Sequence, residues 1–320
     1  MTPKQAQKLT ILDIAKLAGV GKSTVSRVLT QDPRVKPATR EKVEQVIRES
    51  GYVPSKSAQS MRGGNSRVIG ILVSRLDSPS ENKAVRGILE VIYAADYDAV
   101  IMESQFSTDK TREHIAVLEK RNVDGVIVFG FSGFDCAILD SFSQRAVVIA
   151  VDTDSVSSVS YDNKGMISLA MAQFTGQGLK HISYMGVDIA DRTTGQLRLD
   201  AYLEACAQQH IAPCYQTGEL SYDSAYTLTD AVLSTQTQAI VCASDTLAMG
   251  VAKRLQELNR TDVLVSGVGA TDLLQFMFPN TFSVDPGYFD AGQRAADLLL
   301  QHLRQSADVT HLVQRSRLPC

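Results

Sequence analysis

Lys22, Ser23, Thr24, Ser26 and Arg27 fill five of six consecutive positions with groups that read nucleic acid. Lys22, Ser23 and Arg27 are long or mobile enough to meet base edges, and the short hydroxyls of Thr24 and Ser26 suit phosphate oxygens. A second set of polar side chains lies further along: Arg75, Asp77, Glu81, Thr193, Thr194, Arg198 and Asp245, with the aromatic Tyr288. Two guanidinium forks match a phosphate. Asp77, Glu81 and Asp245 accept from sugar hydroxyls, and Tyr288 offers a flat face to a pyranose ring. Thr193 and Thr194, at a predicted helix start, add donors for an anion. This is sugar-phosphate chemistry, since a neutral sugar does not need two arginines.

The first set needs a short helix laid in a groove. Ile11, Ile14, Ala15 and Ala18 mark one face of a helix, Gly19-Val20-Gly21 interrupts it, and Val25, Val28 and Leu29 mark the buried side of a second. Two helices joined by a tight Gly-containing turn predict a helix-turn-helix, whose second helix enters the major groove. A third helix over about residues 37–50 carries Val43, Val46 and Ile47 and closes a three-helix core. Residues 54–66 shift to small, polar and Gly residues and read as a linker able to form a short helix.

The second set needs a different frame. From residue 67 short Val- and Ile-rich runs alternate with helical stretches, a βαβ rhythm that predicts parallel sheets covered by helices. Strands are expected over 67–74, 98–104, 124–130, 145–152, 181–187, 239–244, 263–269 and 282–285. Helices are expected over 81–95, 108–121, 135–142, 165–177, 194–210, 222–233, 245–258 and 289–303. Two such series in succession predict two α/β lobes with a ligand cleft between them. Ligands sit beyond the carboxyl ends of parallel strands, which selects residues 75–82, 130–133, 191–195 with Arg198 one turn on, 244–246 and 286–288.

Composition agrees with a DNA-reading head on a separate body. Net charge is −3 overall. Residues 1–66 carry 12 Lys and Arg against 5 Asp and Glu, a balance of +7, while residues 67–320 carry 20 against 30, a balance of −10. Five scattered cysteines (Cys136, Cys206, Cys214, Cys242, Cys320) lack C-x-x-C spacing, which predicts neither a zinc site nor a disulfide framework and fits a reducing cytoplasm. Five isolated histidines give no metal spacing. The polar start MTPKQAQK has no apolar signal region, and no apolar run approaches the ~18 residues that span a bilayer. No cofactor is expected.

Thr10-Ile11, Asp13-Ile14-Ala15, Ala18-Gly19-Val20, the run from Ser23 to Leu29, and Gly51-Tyr52-Val53-Pro54 resemble the N-terminus of the lactose/galactose-repressor family of bacterial transcription regulators. The resemblance extends over the whole chain. It implies an N-terminal all-α three-helix helix-turn-helix head (1–53), a hinge helix (54–66) and an α/β two-lobed, periplasmic-binding-protein-like effector domain (67–320). The lobes then fall at roughly 67–160 plus 289–310, and 161–288. It further implies a homodimer on a pseudo-palindromic operator, with paired hinge helices wedging apolar side chains into the minor groove. Met61 stands at the wedge position, where the family more often has Leu.

Within that family, SRLDSPSENKAV, MESQFS, VDGVIVFGFSG and DRTTGQLR are similar to members that answer to trehalose 6-phosphate. Carried over by position, the effector contacts implied are Arg75, Leu76, Asp77, Ser78, Ser80, Glu81, Gly130, Asp191, Arg192, Thr193, Thr194, Arg198, Thr246 and Tyr288. At Val151 those members carry an arginine that lines the site, so here the phosphate falls to Arg75 or Arg198. The function implied is repression of a trehalose uptake and utilisation operon, relieved by trehalose 6-phosphate. The alternatives are a relative answering to another sugar, sugar phosphate or purine, and an enzyme acting on sugar phosphates. Asp77 and Glu81 as a glycosidase pair leave the head unexplained. Gly21-Lys22-Ser23 imitates a phosphate loop, but position 16 is Lys and a helix precedes it.

Overall fold

The computed structural model describes residues 9–52, 66–305 and 307–318. It divides into two compact units, residues 1–66 and 67–320. The hinge helix expected over 54–66, and Met61 within it, lie outside the described residues apart from Ser66.

The first unit holds α1 (Ile11–Leu17), α2 (Lys22–Leu29) and α3 (Pro37–Ser50). Helix α1 starts on a reciprocal cap. Thr10 N donates to Asp13 Oδ2 (2.9 Å) and Asp13 N to Thr10 Oγ1 (3.4 Å), which together satisfy two of the helix's orphan donors. Gly19 takes φ +60 in the turn into α2, and Gly51 takes φ +63 after α3. Ile14, Ala15, Ala18, Val25, Val28, Val43 and Tyr52 form the core, with Ile11, Leu29, Val46 and Ile47 packed against it.

The second unit contains two all-parallel sheets. In one the order is β11-β5-β4-β3-β1-β2 and in the other β10-β9-β8-β6-β7. The first lobe runs β1 (Val68–Val73), α4 (Pro79–Ala94), β2 (Asp98–Glu103), α5 (Thr108–Lys120), β3 (Gly125–Phe129), β4 (Ala146–Ile149) and β5 (Ser157–Tyr161). The second runs α6 (Asn163–Gly176), β6 (Ile182–Val187), α7 (Arg198–Gln209), β7 (Tyr215–Gly218), α8 (Tyr222–Val232), β8 (Ala239–Cys242), α9 (Asp245–Glu257), β9 (Leu264–Val268), α10 (Asp272–Met277) and β10 (Thr281–Val284). The chain then returns to the first sheet with α11 (Tyr288–Arg304) and β11 (His311–Gln314). No described helix is long and apolar enough to cross a membrane.

Central strands are buried along their whole length, as parallel strands covered on both faces must be. The fold class is the expected one, and the local differences have physical causes. Residues 135–142 do not form a regular helix. They hold one short 3₁₀ turn at Cys136–Leu139, and a second follows at Ser143–Arg145. Residues 192–197 form a π-turn ahead of α7, in place of an α-helix from Thr194. Strand β5 was not expected, because its buried positions are filled by serines: Ser157 Oγ pairs with His302 Nε2 (3.0 Å) and Ser158 Oγ with His311 Nδ1 (2.9 Å). Helices α4 and α11 approach backbone to backbone. A Cβ on Gly87 would overlap Phe289 O, and one on Gly292 would overlap Ala84 O. The second and third passages between lobes meet where Asp285 and Arg317 form an antiparallel bridge, backed by an Arg317–Asp285 ion pair at 2.8 Å.

Candidate functional site

On α2, Val25 and Val28 turn into the core and leave Lys22, Ser23 and Arg27 exposed, with Thr24 and Ser26 half-buried. The next loop is stiffened by Asp32. It accepts from Arg34 N (3.0 Å) and Arg34 Nη2 (2.7 Å), while Arg40 Nη2 donates to its carbonyl (2.8 Å). The hydrogen bonds from Arg34 hold the Asp32 carboxyl down to about 2.

A cleft lies between the lobes. Its walls come from the carboxyl ends of β1 to β7 and from the first residue of α11. Ten of the fourteen implied residues meet there: Arg75, Ser78, Ser80, Glu81, Gly130, Asp191, Thr193, Thr194, Arg198 and Tyr288. Four do not line it. Leu76 turns to solvent, its N–H spent on Glu103 Oε1 (2.8 Å). Asp77 is 82% exposed and pairs with Arg75 Nε at 3.2 Å. Arg192 is exposed and reaches the other lobe only through its N–H, which donates to Ser132 Oγ (2.8 Å). Thr246 stands half-buried in the first turn of α9. Asp245, expected as a sugar acceptor, does not line the cleft either. It is buried and takes bonds from Thr271 N (2.7 Å) and Ser283 Oγ (2.5 Å).

The turn before α7 also works differently from the expectation. Thr193 N, Thr194 N and Thr193 Oγ1 all donate to Asp191 Oδ1, each at 2.9 Å. A carboxylate of the chain itself therefore occupies the donors expected to meet an external anion. Arg198 is only 3% exposed. Its Nε donates to Asn163 Oδ1 (2.9 Å) and its Nη1 to Ala243 O, so much of the fork is committed to protein. Val151 packs over Gly130, where a Cβ would strike its Cγ2.

Residue reading missed Ser74, Phe106, Phe129, Ala150, Tyr161, Asn163 and Leu220 in the wall, while Phe131 lay in the selected 130–133 loop. Phe106 meets Phe131 edge-on at 6.0 Å, and Tyr161 meets Tyr288 edge-on at 4.9 Å. The edge-on pairs leave apolar ring surface beside the polar groups. MESQFS contains Phe106, so that part of the wall lay in a quoted stretch. Asn163 carried no signal, since it is defined by a partner 35 residues away.

Arg75 and Arg198 stand in the cleft wall with two carboxyls, Glu81 and Asp191. Asp191 accepts the hydrogen bonds of the turn before α7. Burial raises the carboxyl of Glu81 above its usual range, against the pull of hydrogen bonds from Ser74 N (2.7 Å), Ser74 Oγ and Arg75 N. Burial also lifts the Tyr161 hydroxyl well above its ordinary value, so it stays a neutral donor.

Comparison with known proteins follows both units. Residues 10–55 match the model described as bacterial regulatory proteins, lacI family, and residues 171–318 match a periplasmic binding protein-like domain. The chain is 42% identical to the HTH-type transcriptional regulator TreR of Salmonella typhimurium, over 97% of this chain and 99% of that one. It is also 42% identical to TreR of Escherichia coli K12, over 96% and 97%. Among solved structures, the trehalose repressor from Escherichia coli superposes with TM-score 0.77 at 38% identity, over 79% of this chain and 99% of that one. The lac repressor dimer bound to operator and the anti-inducer ONPF superposes with TM-score 0.87 over 98% of both chains, at 21% identity, which is a likeness of fold. A head that presents α2 outward, a cleft domain of two parallel sheets and full-length relatives agree: the chain belongs to the lacI family of bacterial regulatory proteins.

Proposed function

We propose that the chain represses a trehalose uptake and utilisation operon as a homodimer on a pseudo-palindromic operator, and that trehalose 6-phosphate releases it. The observation that carries the effector assignment is the pair of guanidinium charges, Arg75 and Arg198, set in the cleft wall beside aromatic rings. An anionic ligand with apolar ring faces complements that charge and the aromatic walls. The names of the full-length relatives supply trehalose as the sugar. On the DNA side, Lys22, Ser23 and Arg27 take the base edges, Thr24 and Ser26 take phosphates, and Met61 is the minor-groove wedge. The chain acts in the cytoplasm, by binding and not by chemistry.

Arg75 is the phosphate partner. Its carboxylate neighbour Asp77 is mostly in water, where an ion pair contributes little and is readily exchanged. Arg198, with two donors committed, orients the sugar. Calorimetric titration of Arg75→Ala tests this. Affinity for trehalose 6-phosphate is expected to fall roughly 10- to 100-fold, with weak binding of trehalose itself and operator affinity unchanged. An equal loss for both ligands, or none for either, overturns the assignment and favours a neutral sugar or a purine.

A further inference from the structure

Among the described residues, and away from the passages where the chain crosses, two hydrogen-bonded contacts join the lobes. One is the Arg192 N–H to Ser132 Oγ bond. The other is made by Lys83, on α4 two residues past Glu81. Its ammonium donates to the carbonyl of Gly269 (2.9 Å) and to that of Ala270, both in the loop after β9 in the second lobe.

That landing place is built rather than incidental. Ala270 N donates to Ser283 Oγ (2.7 Å), Ser283 Oγ donates to Asp245 Oδ1 (2.5 Å), and Thr271 N donates to Asp245 Oδ2 (2.7 Å). Gly267 and Gly269 leave room for the buried Asp245 carboxylate where a Cβ would collide with it. Gly269 at φ +146 and Ala270 at φ +50 hold two successive carbonyls in reach of one ammonium. A compact cation with three donors suits two carbonyls better than any neutral side chain.

We propose that Lys83 is a latch that holds the lobes at their observed spacing, with Ser132 and Arg192 as a weaker second catch. Ser78, Ser80 and Glu81 line the cleft from the first turn of the helix that carries Lys83. Ligand and latch therefore bias the same rigid element. A latch that raises the fraction of binding-competent protein lowers the apparent dissociation constant in proportion. This consequence for affinity rests on reading the cleft as the effector site; the latch itself does not.

The test is an interlobe distance measured without ligand. Spin labels go on exposed positions of each lobe, Glu119→Cys and Gln208→Cys, in full-length chain with Cys136, Cys214 and Cys320 replaced by Ser. Excess unlabelled chain leaves one labelled protomer per dimer. Double electron–electron resonance is expected to give one narrow distance in this parent. Lys83→Met adds a longer population, Ser132→Ala does so more weakly, and Lys83→Arg retains the narrow distance. If Lys83→Met does not fold, Lys83→Gln carries the same expectation. A distribution unchanged from the parent in the folded Lys83 variant overturns the latch. In the same variant the dissociation constant for trehalose 6-phosphate rises about tenfold, through faster dissociation. If the parent itself fails to bind that ligand, the effector assignment falls while the distance measurement still decides the latch.

Discussion

Glu81 carries the pH dependence of the cleft. Burial raises its carboxyl above the ordinary range, so the folded chain holds this proton more tightly than the unfolded chain does. The stability it contributes is therefore full below the unfolded value near 4.5 and is lost as pH rises through the raised folded value. Binding of an anion follows the same sign, since ionised Glu81 cancels a positive charge beside the ligand. Calorimetry over a pH series should show wild-type affinity matching Glu81→Gln at low pH and falling below it by roughly tenfold above the Glu81 transition. The comparison removes the titration of the ligand phosphate, which both proteins share. Parallel profiles would mean that Glu81 does not titrate next to the ligand. Single residues also show where sequence reading stops. Arg75 and Arg198 were legible from strand-end position and charge alone. Asp245 had the same signal yet turns inward, because the hydroxyls of Ser283 and Thr271 on neighbouring segments claim it. Only the fold brings those three together.

Among elements, the contact between α4 and α11 sets the geometry of the first lobe, and two glycines make it possible. Ala is intrinsically better than Gly in a helix by about 1 kcal/mol, so Gly292→Ala would stabilise an isolated α11. Here the added methyl would overlap the Ala84 carbonyl, and backbone cannot give way as a flexible side chain can. Overpacking of this kind costs about 1–3 kcal/mol, and the steric cost is expected to win. Thermal unfolding of Gly292→Ala should show a midpoint lowered by several degrees; an equal or higher midpoint contradicts the packing argument. The long amphipathic helices and apolar parallel strands were legible because burial on both faces writes continuous Val and Ile runs. The short elements were not. Strands β7 (YQTG) and β11 (HLVQ) are edge strands of four residues with little burial, and α10 has six residues. Strand β5 hides its burial behind serines that find histidine partners more than 140 residues away.

The molecule as a whole separates its charges by task. A head at +7 is drawn to the DNA polyanion, and a body at −10 is not. Coupling between them requires that the ligand bind one arrangement of the chain more tightly than the other, and the same factor must then appear in operator affinity. In the proposed function the cleft and the groove-reading head are two halves of one thermodynamic cycle. The most direct measurement is operator affinity of the intact chain by gel-shift titration, with and without saturating trehalose 6-phosphate at fixed salt. A dissociation constant raised about tenfold or more by the sugar phosphate, and unmoved by inorganic phosphate, is the result predicted. An operator affinity that stays the same in saturating trehalose 6-phosphate would contradict the account.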